Sequence, residues 1–469
     1  MNYGGTPRLN PPAPEDDDNI IAALKQSDRV NSIGLTLTNS LLRKLSAISE
    51  PLSELEELYL SSQHNLPLTL PSAFGWGVRL RTLHVTGIAI PTLPQLLSST
   101  YLVDIQLHEI PMAGYFSPQA FANALSGASH LGSLSLHFLS FPLHQNYAGF
   151  PPPGGHRIVL PALTYFKYRG ISKYLDGFIA RIDAPHLGDI DITFFSQPTI
   201  DASQLGKFIE RMGMKTTLSE ADIQASVHAI SISFKNSSTF TRLRLQIPCK
   251  QLDWQLSYMA QVCDQLSPFV FGVQDLVFNT NDWSNGQDGI DRQQWLQLIR
   301  SFTGARTLSI SGELTTGILC ALRPADEEYP AYTAVPSSLR NIRVWNTTLL
   351  DRPFWDAAES LITSRSPSSP IQFQFVCKDC DTDFTLQYFK KHLITLHTYK
   401  MVCSYCGCFQ PLPWFTETSI GEFQSHLSME HPEVAENDDL ILQFSSTLTP
   451  PQMDTLASRH GFLRKYHQS

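Results

Sequence analysis

One six-residue apolar pattern, apolar-x-x-apolar-x-apolar, recurs through the first three quarters of the chain and leaves few folds open to it. Copies stand at Val30/Ile33/Leu35, Leu55/Leu58/Leu60, Leu80/Leu83/Val85, Leu102/Ile105/Leu107 and Leu131/Leu134/Leu136. They continue at Leu163/Phe166/Tyr168, Leu187/Ile190/Ile192 and Val227/Ile230/Ile232, with weaker copies at Val273/Leu276/Phe278, Ala305/Leu308/Ile310 and Leu339/Ile342/Val344. The last two apolar positions of each copy alternate as in a strand with one buried face. The first seven copies begin 25, 25, 22, 29, 32 and 24 residues apart, which leaves room for one strand and one return segment per repeat. The last four intervals, 40, 46, 32 and 34 residues, require insertions. Apolar hexads also occur in any α/β domain with buried parallel strands. Eleven copies with helical spacers between many of them favour a repeat array, in which each unit buries its face only against its neighbours.

The return segments carry helix signals. Ser117-Pro118 offers an N-cap followed by proline at the first helical position, leading into Phe121 and Leu125. Asp291 precedes Trp295, Leu298, Ile299 and Phe302, an i, i+3, i+4, i+7 stripe, and Trp355, Ala358, Leu361 and Ile362 repeat the idea. Each stripe reads as core. Together these features resemble leucine-rich-repeat proteins of an irregular kind. In that family an asparagine usually follows the third apolar residue by three positions. Thr38, Gln63, Ile88 and Ile110 stand there instead, and only Asn281 fits, so the resemblance does not imply a regular asparagine ladder.

A specific chemistry appears only near the C-terminus. Cys377-Lys-Asp-Cys380 is followed by His392 and His397, a C-x2-C-x11-H-x4-H spacing. Two soft thiolates from a hairpin and two imidazoles one helical turn apart suit a tetrahedral Zn²⁺. Phe384 and Phe389 fall where such a small module needs apolar side chains. A second set follows: Cys403 and Cys406, then His426 and His431 after a 19-residue spacer holding Pro411, Pro413 and Trp414. Cys408 leaves two choices for its second thiolate. The spacings resemble the C2H2 zinc-finger family, with a first spacer one residue shorter than the usual ~12. With four protein ligands each and no open position, both sites read as structural zinc, one or two ions in all.

Charge bears on what such fingers could hold. The base-reading positions of a DNA-binding finger would be Thr385, Tyr388 and Lys391 in the first, and Ser419, Glu422 and Ser425 in the second. None is arginine. Residues 371–433 carry four lysines against seven acidic residues, a balance of 4 − 7 = −3, and the whole chain carries −9. Phosphate neutralisation supplies most non-specific nucleic-acid affinity, so nucleic acid is a disfavoured partner. No Gly-rich phosphate loop, nucleophile elbow or His-Glu-x-x-His appears, and Cys249, Cys263 and Cys320 sit among apolar neighbours; the reading is of a protein that is not an enzyme. No apolar run reaches ~18 residues and the N-terminus lacks a signal-peptide pattern, which points to a cytoplasmic or nuclear protein with no membrane partner.

Hexads followed by cysteine-histidine sets resemble the fungal families of F-box-type leucine-rich-repeat proteins, some of which end in C2H2 fingers. Segments such as Pro11 to Asn19 and Leu58 to Gln63 share that flavour. Nothing before Val30 resembles the F-box itself, so an adaptor role in a ubiquitin ligase is not carried over; a member that has lost its F-box remains an alternative. The expected fold is α/β: an irregular leucine-rich-repeat solenoid with a small C-terminal ββα zinc-finger module. Its divisions are a disordered tail over 1–18, the solenoid over 19–363, a linker over 364–370, fingers over 371–400 and 401–433, and a tail over 434–469 with a short helix. The expected work is protein recognition on the solenoid surface. Nucleic-acid binding is the other alternative.

Overall fold

The computed structural model describes residues 14–45, 48, 52–62, 79–89, 96–111, 114–139, 156–197, 199–212, 218–226, 228–236, 241–249, 252–280, 292–312, 315–322, 338–345, 357–358, 360–361, 371–377, 382–384, 399–402 and 409–412. Their contacts divide the chain into two units. The break falls between Leu308 and Ser309; Leu339 returns to the first unit and Arg340 to the second.

All eleven hexads form strands. In the first unit the strands are β1 (Ser32–Leu37), β2 (Glu57–Ser62), β3 (Thr82–Thr86), β4 (Asp104–Ile110), β5 (Ser133–Phe138), β6 (Ile158–Val159) and β7 (Tyr165–Gly170). There follow β8 (Ile182–Asp183), β9 (Asp189–Phe194), β10 (Glu220–Ala225), β11 (Ala229–Lys235), β12 (Arg242–Pro248) and β13 (Asp275–Thr280). From β1 to β5, and on through β7 and β9, neighbours pair in parallel with the hexads in step. Ile33 lies opposite Leu58, which lies opposite Leu83, and the line continues through Ile105, Leu134, Phe166 and Ile190. Each of these side chains is at most 4% exposed. Repetition of one apolar pair per strand therefore builds an unbroken inner ladder, the physical reason a period near 25 residues yields a sheet.

Beyond β9 the order changes. The sheet runs β9-β12-β11-β10-β13. Strands β12 and β10 are parallel to their outer neighbours β9 and β13, whereas β11 is antiparallel to both of its own. The Val227/Ile230/Ile232 hexad, expected to be one more parallel copy, is thus the reversed middle strand of a meander. The reversal also accounts for the long intervals: β10, with Ala221 and Ile223 facing inward, and β12, with Leu243 and Leu245, are the parallel copies there.

Helices close the inner side. Ser117 Oγ accepts from Ala120 N (3.1 Å), with Pro118 at the first position, and the helix Pro118–Ala124 buries Phe121. Phe121 meets Phe178 of the helix Ser172–Ile179 at 5.2 Å between ring centres, and Phe178 reaches Phe166 of β7 at 6.0 Å. In the helix Arg292–Arg300, Trp295, Leu298 and Ile299 are buried, as is Phe302 just beyond it. The pair β6/β8 forms a separate two-stranded parallel sheet. At the N-terminus a helix starts at Pro14 and runs to Leu24, so residues 14–18 of the expected tail are helical. The buried Asp17 carboxylate accepts from Ser40 Oγ (3.0 Å), and Lys44 pairs with Asp18 at 2.7 Å. Proline at a first helical position and acids in the first turn make a sound helix start, which their compositional look of disorder conceals.

Strand β14 (Thr307–Gly312) crosses the division between units. The second unit contains the helix Thr315–Leu322, β15 (Asn341–Trp345), β16 (Gln372–Cys377), β17 (Thr382–Phe384), β18 (Tyr399–Val402) and β19 (Phe409–Leu412). Its buried apolar side chains include Ile318, Leu319, Ile342, Val344, Ala358 and Leu361, each at most 1% exposed. Trp355 and Ile362, the expected linker 364–370 and the expected C-terminal helix all lie outside the described residues. Among those described, no helix is long and apolar enough to cross a membrane.

Candidate functional site

Side chains that alternate with the inner ladder form the outer face of the sheet, and this face stays part-exposed. Register alone brings its groups together, because consecutive members lie 20 or more residues apart in sequence. Tyr59 of β2 stands edge-on to His84 of β3, with ring centres 4.8 Å apart. His84 Nε2 lies 2.6 Å from Asp104 Oδ2 of β4, and Gln106 Nε2 donates to the same oxygen at 3.0 Å. Burial pushes the Asp104 carboxyl up, but hydrogen bonds from His84, Ser133 and Gln106 outweigh it and hold it below its ordinary value.

One strand further, His108 and His137 stack at 4.3 Å with their planes 9° apart. Between Leu107 and Ile110 the pairing of β4 with β5 shifts register, and Glu109 takes a φ of 52°, in the left-handed region. His108 Nε2 lies 3.1 Å from Ser135 Oγ, and His137 Nε2 has no hydrogen-bond partner among the described residues. Burial, then the neighbouring His108, Lys167 and Arg169, push His137 down to about 3; burial and the Lys167 charge also lower His108. Both rings are therefore neutral at pH 7, which permits a face-to-face stack that two imidazolium ions would oppose. Beside them on β7, Lys167 reaches Asp191 at 3.9 Å, while exposed Arg169 lies opposite His137 and Thr193.

The band is a part-exposed strip of polar and aromatic groups on the sheet surface. Ser135, whose hydroxyl lies beside His108, is 4% exposed. Sequence reasoning missed the cluster, since each residue alone looks like an ordinary polar position of a half-buried strand.

The cysteine motifs lie at two hairpins. Strands β16 and β17 are antiparallel, with Cys377, the last residue of β16, opposite Thr382. Only residues 378–381, Cys380 among them, connect the two strands. Strands β18 and β19 are likewise antiparallel, with Val402 opposite Phe409. The six residues between them include Cys403, Cys406 and Cys408. Of the eight expected ligands only Cys377 has a described backbone position, at the end of β16 where the chain enters a short hairpin, which is compatible with the first thiolate of a tetrahedral zinc site. Cys380, His392, His397, Cys403, Cys406, His426 and His431 lie outside the described residues. Of the three remaining cysteines, Cys263 is fully buried, which pushes its thiol up, and Cys249 and Cys320 are half-buried.

No family model matches the chain, and no curated protein matches it. Among solved structures, it is similar to the leucine-rich repeat-containing protein LegL7 from Legionella pneumophila, at 11% identity and a TM-score of 0.28, over 77% of this chain and 98% of that one. It is also similar to an internalin, InlF, from Listeria monocytogenes, at 11% identity and a TM-score of 0.23, over 71% of this chain and 83% of that one. With TM-scores that low, the repeat reading rests on the strand registers themselves.

Proposed function

We propose that this chain is a non-enzymatic recognition scaffold of the leucine-rich-repeat type. It binds a protein partner on the outer face of its sheet, and structural Zn²⁺ held by Cys377, Cys380, His392 and His397, and by Cys403, Cys406, His426 and His431, organises its C-terminal module. The observation that carries the reading is the outer face: in-register strands hold Tyr59, His84, Asp104, His108, His137 and Arg169 in one part-exposed band. The neutral His108 and His137 rings shed water at low cost, and the Asp104 carboxylate and Arg169 guanidinium give the band charge of both signs for orienting a partner. Bound zinc supplies folding free energy to the hairpins and leaves no open coordination position for chemistry.

The test compares the intact chain with a Tyr59→Ala/Arg169→Glu variant, using partner capture followed by cross-linking. Wild type is expected to capture protein cross-linked to β2–β7; the variant is expected to lose it at least tenfold while its melting temperature moves by less than about 2 °C. Cross-links confined elsewhere, with capture unaltered in the variant, would remove the outer face from consideration. Tight, salt-sensitive retention of pooled DNA or RNA by the zinc-loaded chain would instead make this a nucleic-acid-binding protein.

A further inference from the structure

We propose that the first cysteine hairpin completes the sheet of the second unit, so that zinc on the first site stabilises the last repeat strand, β15, together with the finger. This rests on the zinc reading above and concerns what the metal holds in place. Strand β16 pairs in parallel with β15 along its length, from Asn341 opposite Gln372 to Trp345 opposite Val376. Gln372 N donates to Arg340 O at 2.8 Å. Arg343 Nε donates to Gln374 Oε1 at 2.8 Å across the same pair. Phe373, opposite Ile342, is 6% exposed, and Ile371 just before it is 4% exposed. The strand that ends in Cys377 is thus both a rung of the unit's sheet and part of its core. A finger tethered only by a linker would show neither property.

The coupling follows from continuity. Cys377 is the residue directly after the last one paired with β15, and β17 folds back from it onto β16 with only three residues. Whatever fixes the Cys377 backbone fixes the register of β16, and β16 supplies the hydrogen-bonding partners of one whole edge of β15. Repeat arrays need their ends closed, and an open edge invites pairing with other chains. A two-strand hairpin whose reversal is pinned by metal meets that need. Linkage makes the effect mutual: metal that favours paired β16 must itself be favoured by intact pairing with β15.

Native-state hydrogen exchange on the full chain, with bound zinc quantified in parallel, tests the proposal. Removing zinc with excess chelator is expected to lower protection of the amides of 341–345 and 372–376 at least tenfold and to leave those of β2–β5 unchanged. Cys377→Ser is expected to reproduce this, whereas Cys403→Ser is not. Val344→Pro, which removes a donor from β15, is expected to weaken zinc binding at the first site. If stoichiometric zinc is bound but protection of 341–345 survives chelation, the coupling is wrong and the zinc reading stands. If no zinc is bound, both fall. A loss spread equally over β2–β5 would be general unfolding and would also overturn the proposal.

Discussion

Replacing Gly304 with alanine is expected to cost about 3 kcal/mol or more of the first unit's stability. Gly304 lies in the turn ahead of β14, and a Cβ built on it would overlap the carbonyl oxygen of Phe271. It would also come within 3.2 Å of both Phe271 C and Val273 O. These are backbone atoms, anchored by bonds such as Val273 N to Val270 O (3.1 Å), so neither can swing aside as a long side chain would. The strain must therefore spread into the helix-to-strand connection that Phe271 and Val273 belong to. Urea titration is the measurement: the midpoint should fall with the m-value unchanged. Gly188→Ala is the matched control. Nothing lies within 4 Å of a Cβ there, and lowered unfolded-state entropy should make it neutral or slightly stabilising. Equal midpoints for the two variants would refute the steric account.

The second large effect is a gain. Asp176, on the helix Ser172–Ile179, is 8% exposed, and its Oδ1 has no hydrogen-bond partner among the described residues. Burial, then repulsion from Asp201, push its carboxyl up to about 8, although the Gln204 N–H and Lys207 pull the other way. The unfolded carboxyl loses its proton near 3.8, whereas the folded one keeps it to about 8. The group's contribution to stability is therefore complete below pH 3.8 and is lost as pH rises through 8. His137 acts in the opposite sense: with its folded value at about 3, unfolding takes up a proton below pH 6.5, so stability is lost as pH falls. Over the pH range where both act, these two linkages cancel, and above it Asp176 acts alone. Asp176→Asn keeps the shape without the charge and is expected to stabilise the protein by roughly 2–4 kcal/mol at pH 8, and by little at pH 4. Melting temperature against pH for the two proteins decides it; parallel curves would show that Asp176 is ionised in the folded state.

How far the residues could be read depended on what each signal encodes. Apolar alternation locates a strand because one face is buried, and it did so at every hexad. It is blind to direction: Ile230 and Ile232 alternate identically whichever way β11 runs. It also weakens where the inward residue is small, which hid β10 behind Ala221. That β16 pairs with β15 went unread, because a strand leading into Cys377 is already accounted for as half of the finger hairpin. The outer band was illegible for another reason. Tyr59 and His84, or His108 and His137, become neighbours only through the register of parallel strands.

The reversed strand bears on how the chain gets there. Parallel neighbours such as β2 and β3 can meet only after some twenty intervening residues have been brought round, and that closure must be completed before any rung rewards it. Strands β10 and β11 are separated by the three residues 226–228, and β11 and β12 by the six residues 236–241. Within the first unit the meander is therefore the part of the sheet with the least entropy to overcome, and its two outer strands already point the way β9 and β13 require. Folding is expected to start there and spread outward in both directions. Pulse-labelled exchange should find the amides of 220–248 protected before those of β2–β5, and the reverse order would place the nucleus in the regular repeats.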